Sequence, residues 1–153
     1  MNRYLRTVLP AACMVAAGVL ALMGPAAAAS SRHLNPADRK DERPFSHSVM
    51  AGGTLYLSGG LGLDPATGAP PAEVKKEIRL LLDGMKAKLA LAGMTMDDLV
   101  SVQVFCPDLT LYGQFNAIYA TYFTDGYPAR AFVGSGPLLR GARFEIMGTA
   151  VKR

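Results

Sequence analysis

Residues 99–133 read LVSVQVFCPDLTLYGQFNAIYATYFTDGYPARAFV, and their patterning decides the fold. Val100, Val102 and Val104 alternate with Ser101 and Gln103, so Leu99 to Phe105 reads as a strand with one face in the core. Leu111, Phe115, Ile118, Tyr119 and Tyr122 then recur at three- and four-residue steps. That spacing predicts a helix from Leu109 to Phe123, opened by Asp108 or Thr110 as its cap. After a turn at Pro128, Ala131 to Val133 reads as strand again. Cys106 ends the first apolar run before Pro107, where a buried, inert thiol is expected rather than a nucleophile.

Working outward, Val74, Ile78, Leu81, Leu82, Met85 and Leu89 keep helical spacing between Ala72 and Ala92, with Lys75, Lys76, Glu77, Lys86 and Lys88 on the polar side and Gly93 as the stop. Thr95 and Asp98 have the spacing of a capping box. Upstream, Ser46–Met50 and Thr54–Ser58 are β-prone runs joined by Ala51-Gly52-Gly53, a hairpin signal, and Asp64-Pro65-Ala66-Thr67-Gly68 reads as a further turn. Downstream, Arg143–Val151 reads as the last strand. The order β-β-α-β-α-β-β implies an α+β domain, a mixed sheet with both helices on one face.

The first 29 residues stand apart from this pattern. Arg3 and Arg6 precede an apolar run from Val8 to Met23, then Pro25 and the small residues Ala26–Ala29. That order describes a secretory signal peptide cut near Ala28 or Ala29, and the apolar run is short for a membrane-spanning helix of about 20 residues. An uncleaved anchor is the rival reading. A lipoprotein attached through Cys13 is disfavoured, since the residues before it make a poor lipobox. The expectation is an exported, periplasmic or secreted chain with no stable membrane association, a polar arm of disorder-prone composition at residues 30–43 with order beginning near Pro44, and one domain over 44–153. The leader takes two of the 16 basic residues and none of the 12 acidic ones, so the net charge falls from +4 to +2. A nucleic-acid partner is not indicated. Cys106 would be the only cysteine left, which excludes an intrachain disulfide.

Two charged residues in the last quarter of the chain carry the best functional clue. Arg130 follows Tyr127-Pro128-Ala129, and Glu145 lies between Phe144 and Ile146 in a strand. A guanidinium can hold a carboxylate through paired hydrogen bonds while a nearby carboxylate handles a water, so the two could serve a small amino-acid-derived acid. Taken alone, Arg130 is an arginine beside a turn and Glu145 an exposed strand carboxylate. Ser58 and Gly59 end a strand where a hydroxyl and backbone groups could face a cleft, and Asn116 interrupts the apolar rhythm of the second helix, though it also reads as an ordinary polar position. Gly60-Leu61-Gly62 and Gly134-Ser135-Gly136 begin like dinucleotide fingerprints, yet Pro65 and Leu139 stand where the last glycine belongs. His33 and His47 lack companion ligands, so no metal is expected.

Several landmarks together resemble the RidA/YjgF family of enamine/imine deaminases: Pro44-Phe45-Ser46, Leu57-Ser58-Gly59, Leu63-Asp64-Pro65-Ala66-Thr67-Gly68, Phe115-Asn116-Ala117-Ile118-Tyr119, Pro128-Ala129-Arg130 and Glu145-Ile146. The resemblance implies a chorismate-mutase-like fold, a homotrimer with clefts between subunits, and hydrolysis of reactive imines such as 2-aminoacrylate to 2-oxo acids and ammonia without cofactor. It assigns Arg130 to the substrate carboxylate and Glu145 to the water; Phe45, Ser58, Gly59, Asn116 and Phe132 are the further candidates for contact with the substrate. The chain departs from the family at Phe45, where tyrosine is common, at Phe132, where many members have cysteine, and at the loop Pro137-Leu138-Leu139-Arg140-Gly141. Those replacements motivate an alternative, a non-catalytic trimeric small-carboxylate-binding or holdase-like protein. The ribonuclease activity sometimes attached to the family is disfavoured by the low charge and the absence of a His pair or basic stripe.

Overall fold

The computed structural model describes residues 30–39 and 43–152. The leader read at residues 1–29 lies outside them. Six strands form one sheet: β1 (Arg32–Leu34), β2 (Ser48–Ala51), β3 (Thr54–Leu61), β4 (Leu99–Cys106), β5 (Ala129–Gly134) and β6 (Glu145–Val151). Their spatial order is β1-β2-β3-β6-β4-β5, with β4 and β5 parallel and every other neighbour antiparallel. Helices α1 (Val74–Ala90) and α2 (Tyr112–Tyr119) complete an α+β domain.

Local chemistry accounts for the elements. Gly52 (φ 53°) and Gly53 (φ 83°) are both left-handed, the conformation a two-residue hairpin turn requires, and they join β2 to β3. Ile78, Leu81, Leu82, Met85 and Leu89 bury one face of α1, and Gly93 at φ 67° ends it as Met94 N–H bonds back to Leu89. The capping box of Thr95 and Asp98 is formed. The Asp108 carboxylate accepts from Thr110 N–H and opens the second helical segment, of which the α-helical part is Tyr112–Tyr119 with a 3-10 turn at each end. Leu55, Leu57, Val102, Val104, Ile146 and Ala150 meet this helical layer to make the core.

Four expectations are corrected. The polar arm is partly ordered: Arg32–Leu34 pairs with β2, and Arg39 donates to Asn35 Oδ1 and to the carbonyls of Phe45 and Arg43. Backbone pairing decides this, because β2 would otherwise leave its edge bare. Val100 does not face the core. A register shift between Leu99 and Ser101 turns it outward, 47% exposed, while Leu99 is buried in its stead. The fifth strand begins at Ala129, so it includes Arg130. Glu77, assigned to the polar side of α1, is fully buried.

That burial is explained by Arg143. Glu77 Oε1 accepts from Arg143 N–H at 2.7 Å and Oε2 from Nε at 2.5 Å, while the guanidinium also reaches the carbonyls of Pro71 and Ala72. The pair ties the first turn of α1 to the entry of β6, two residues before Glu145. The loop ahead of it is held by Arg140, itself left-handed at φ 58°, which donates to Gly68 O at 3.0 Å.

Candidate functional site

Arg130 stands on the edge strand β5 in register with Val102, a core residue, and paired residues share a face. Its guanidinium therefore points to the helical side of the sheet. There Nη2 donates to Asn116 Oδ1 at 2.6 Å. Its Cζ lies 4.6 Å from the centroid of the Tyr119 ring and 5.8–5.9 Å from those of Tyr112, Phe115 and Phe132. Phe132 packs edge-on against Tyr112 and Phe115, with centroids at 5.0 and 5.3 Å. Among the described residues no carboxylate lies within ion-pair distance of this arginine. A partly buried cation fixed by a neutral amide and aromatic faces can receive an anion.

Glu145 belongs to the other face. Ile146 pairs with Val104 and Gly60 toward the helices, so Glu145, one residue earlier and paired with Phe105 and Leu61, points away from them. Its carboxylate lies against Gly59: a Cβ built there would meet Oε1 at 2.1 Å. A bulge creates this approach, since Leu57 pairs with Gly148 and Gly60 with Ile146, leaving Ser58 and Gly59 opposite Met147 alone. The Ser58 hydroxyl, which the sequence reading allowed to face a cleft, is engaged within the chain. It donates to His47 O at 2.9 Å and accepts from Lys88 Nζ at 3.1 Å. Phe45 is 46% exposed, with the Arg43 and Arg39 guanidinium carbons 5.3 and 5.9 Å from its ring centroid. It lines an open groove of about 570 Å³ with His33, Asn35 and Ser46, which contains neither Arg130 nor Glu145.

The seven sequence candidates thus fall into two sets within one chain. Arg130, Asn116 and Phe132 gather on the helical side; Glu145 and Gly59 lie at the outer face beside the β3 bulge that holds Ser58, with Phe45 on the segment entering β2. Two further residues were not singled out in the sequence. Tyr112 sits one helical turn before Asn116, and its hydroxyl is held below its ordinary pKa by hydrogen bonding to Asn116 and by the Arg130 charge. The i, i+4 spacing of Tyr112 and Asn116 was the available signal. Lys88 crosses from α1 to the bulge, and burial pulls its ammonium down to a pKa of about 8. Its place in the polar series of the helix concealed it. Among the described residues no three His, Cys, Asp or Glu side chains are grouped as a metal would require, and no helix is long and apolar enough to cross a membrane.

Comparison with known proteins agrees with this architecture. A family model described as Endoribonuclease L-PSP matches residues 37–152. The mouse 2-iminobutanoate/2-iminopropanoate deaminase is 37% identical over 110 residues, 71% of this chain and 82% of its own. The crystal structure of the Escherichia coli YjgF gene product superimposes with a TM-score of 0.73 at 31% identity, covering 80% of this chain and 99% of that one. E. coli TdcF, solved with bound serine, gives a TM-score of 0.68 at 31% identity over 72% of this chain and 89% of its own.

Proposed function

The chain belongs to the RidA/YjgF family, and from that membership we propose that it hydrolyses imines and enamines derived from amino acids to 2-oxo acids and ammonia. The observation that carries the reading is the Arg130 guanidinium, partly buried, oriented by Asn116 and without a carboxylate partner among the described residues. A substrate carboxylate supplies that partner. The relatives support the same chemistry: one is named for an imine deaminase, and another was solved with an amino acid bound.

In the proposed reaction Arg130 grips the carboxylate and sets the adjacent imine carbon toward Glu145. The Glu145 carboxylate takes a proton from water as the oxygen attacks that carbon and passes it to the imine nitrogen, giving a neutral carbinolamine. It then takes the hydroxyl proton and passes it to the same nitrogen, so that the C–N bond breaks and ammonia leaves as the carbonyl forms; one water is consumed and no electrons are exchanged. This general-base step is worth on the order of 10² to 10⁴-fold.

One chain cannot apply both groups to one substrate, because they occupy opposite faces of its sheet. The proposal therefore includes self-association, with Arg130 of one copy facing Glu145 of the next. Tyr56, Val133, Met147 and Val151 leave an apolar outer face at 38–54% exposure, which a second copy would cover. A homotrimer is the arrangement expected.

The test uses imine generated in situ by an amino-acid oxidase, with 2-oxo acid measured over time. Wild-type protein should accelerate its appearance, and neither Arg130→Ala nor Glu145→Gln should. Unfolded and reassembled together in equal amounts, the two inactive variants should regain about one quarter of the wild-type rate, since half the chains supply each intact group at a shared cleft. Absence of wild-type acceleration with every imine tried refutes the deaminase reading, and binding of small carboxylates in that case supports the non-catalytic alternative. We also place this activity outside the cytoplasm, on the leader reading. Mass spectrometry of the exported protein should find its N-terminus at Ala29 or Ser30.

A further inference from the structure

Lys88 is the one lysine of α1 whose ammonium is withdrawn into the fold, and it is spent on a single feature. Nζ donates to Ser58 O at 2.8 Å, to Ser58 Oγ at 3.1 Å and to Gly59 O at 3.1 Å. Three acceptors match the three protons of an ammonium; a neutral amine would leave one unserved. All three belong to the bulge of β3, where an extra residue interrupts the ladder and its carbonyl needs another donor. Two glycines make room on either side. A Cβ at Gly60 would lie 3.2 Å from Lys88 Nζ, and one at Gly59 would lie 2.1 Å from Glu145 Oε1. Cation and carboxylate thus sit against adjacent glycines of one bulge, near enough to attract each other through it.

We propose that Lys88 is a positioning residue for the half-site that carries Glu145: its ammonium locks the Ser58–Gly59 bulge, and the bulge fixes where the Glu145 carboxylate stands. The role rests on the deaminase reading of that site. An apolar side chain at position 88 would continue the buried face of α1 without desolvating a charge. The cation is kept despite burial and despite repulsion from Arg43, which faces it from the segment before β2; Glu145, facing it from β6, supplies the opposing attraction. His47 from the same segment contributes its carbonyl, through Ser58, and its ring Nδ1 bonds to Asn35.

The lock has a pH limit. With its pKa lowered from 10.5 to about 8, Lys88 holds its third proton below pH 8 and loses it above. In wild-type protein kcat should therefore fall as pH rises through about 8. Lys88→Met should lower kcat roughly 10- to 100-fold at neutral pH, the range expected when a catalytic group is misplaced by about 1 Å. KM should stay within about twofold, since Arg130 binds from a different surface, and the alkaline fall should vanish. Lys88→Arg, which does not deprotonate, should recover part of kcat and hold it beyond pH 8. A second measurement needs neither turnover nor a folded Lys88 variant: the Lys88 ammonium of the wild-type protein, followed by nitrogen-15 NMR, should titrate near pH 8, and Glu145→Gln should move that midpoint lower. Wild-type kcat and an intact alkaline limb in a folded Lys88→Met protein would overturn the proposal. So would a Lys88 midpoint near 10.5 that ignores Glu145→Gln. If the wild-type protein hydrolyses no imine, the deaminase reading fails while the NMR titration still decides whether Lys88 and Glu145 are coupled across the bulge.

Discussion

Replacing Gly59 by alanine should separate catalysis from folding. Gly59 is not among the left-handed glycines, so its backbone accepts a side chain without strain. The obstacle is Glu145: the new Cβ would stand 2.1 Å from Oε1 and 3.2 Å from Cδ. A carbon rests against such an oxygen at about 3.3 Å or more, so the carboxylate must retreat by roughly 1 Å. It can do so, because Glu145 is only partly buried and its atoms near Gly59 are the far end of a flexible side chain. Stability should change by less than about 1 kcal/mol, since the reduced freedom of the unfolded chain offsets part of the crowding. A misplacement of about 1 Å costs on the order of 10²-fold in rate, so kcat should fall by about that factor. The assay is 2-oxo acid release from imine generated in situ, beside a urea unfolding curve on the same preparation. Activity within twofold of wild type, at unchanged stability, would mean that the position of Glu145 beside this bulge is irrelevant to the reaction.

Gly62→Ala presents the same 2.1 Å clash, but with the Glu77 carbonyl oxygen, which cannot swing away. A loss of about 1–3 kcal/mol is expected in urea unfolding, with kcat of the folded fraction little changed. Glu77→Ala should cost about 3–5 kcal/mol by leaving Arg143 without its carboxylate at the entry to β6, again read by urea unfolding. Tyr119 and Tyr122 are both pushed up to about 12, chiefly by burial and for Tyr122 also by its bond to Asp83, whereas Tyr112 is held below its usual value. Absorbance at 295 nm should show Tyr112 ionising first. Above pH 10 the unfolded chain loses phenolic protons that Tyr119 and Tyr122 retain when folded, so their contribution to stability, complete below pH 10, should be lost as pH rises toward 12.

The elements were legible where periodicity and turn chemistry agree. The helical spacing of Ile78, Leu81, Leu82, Met85 and Leu89 and the Gly52-Gly53 hairpin depend only on neighbours in sequence, and the structure has both. The failures share one cause, in that a partner distant in sequence overrides the local pattern. Strict alternation sends Val100 inward, and one extra residue in β4 against β6 reverses it. Glu77 reads as solvated until Arg143, 66 residues later, accounts for its burial. The arm reads as polar and unstructured, yet the unpaired side of β2 recruits three of its residues through backbone groups that composition does not record.

The site follows the same division, and the consequence is mechanistic. Alternation within β6 correctly turns Glu145 away from Phe144 and Ile146, but it cannot say that Arg130, two strands over in the sheet, takes the opposite face. A chain built this way holds a guanidinium and a carboxylate that cannot quench each other, since the sheet stands between them. Had both occupied one face of one protomer, an ion pair would compete with every incoming carboxylate. Dividing them keeps Arg130 open to an anion, and under the proposed mechanism it makes assembly the step that creates the active cleft. Under the same proposal Lys88 answers a need that the division introduces: with its counter-charge supplied by another copy, Glu145 would still require a local cation to fix its place, and the bulge at Ser58–Gly59 is where α1 delivers one.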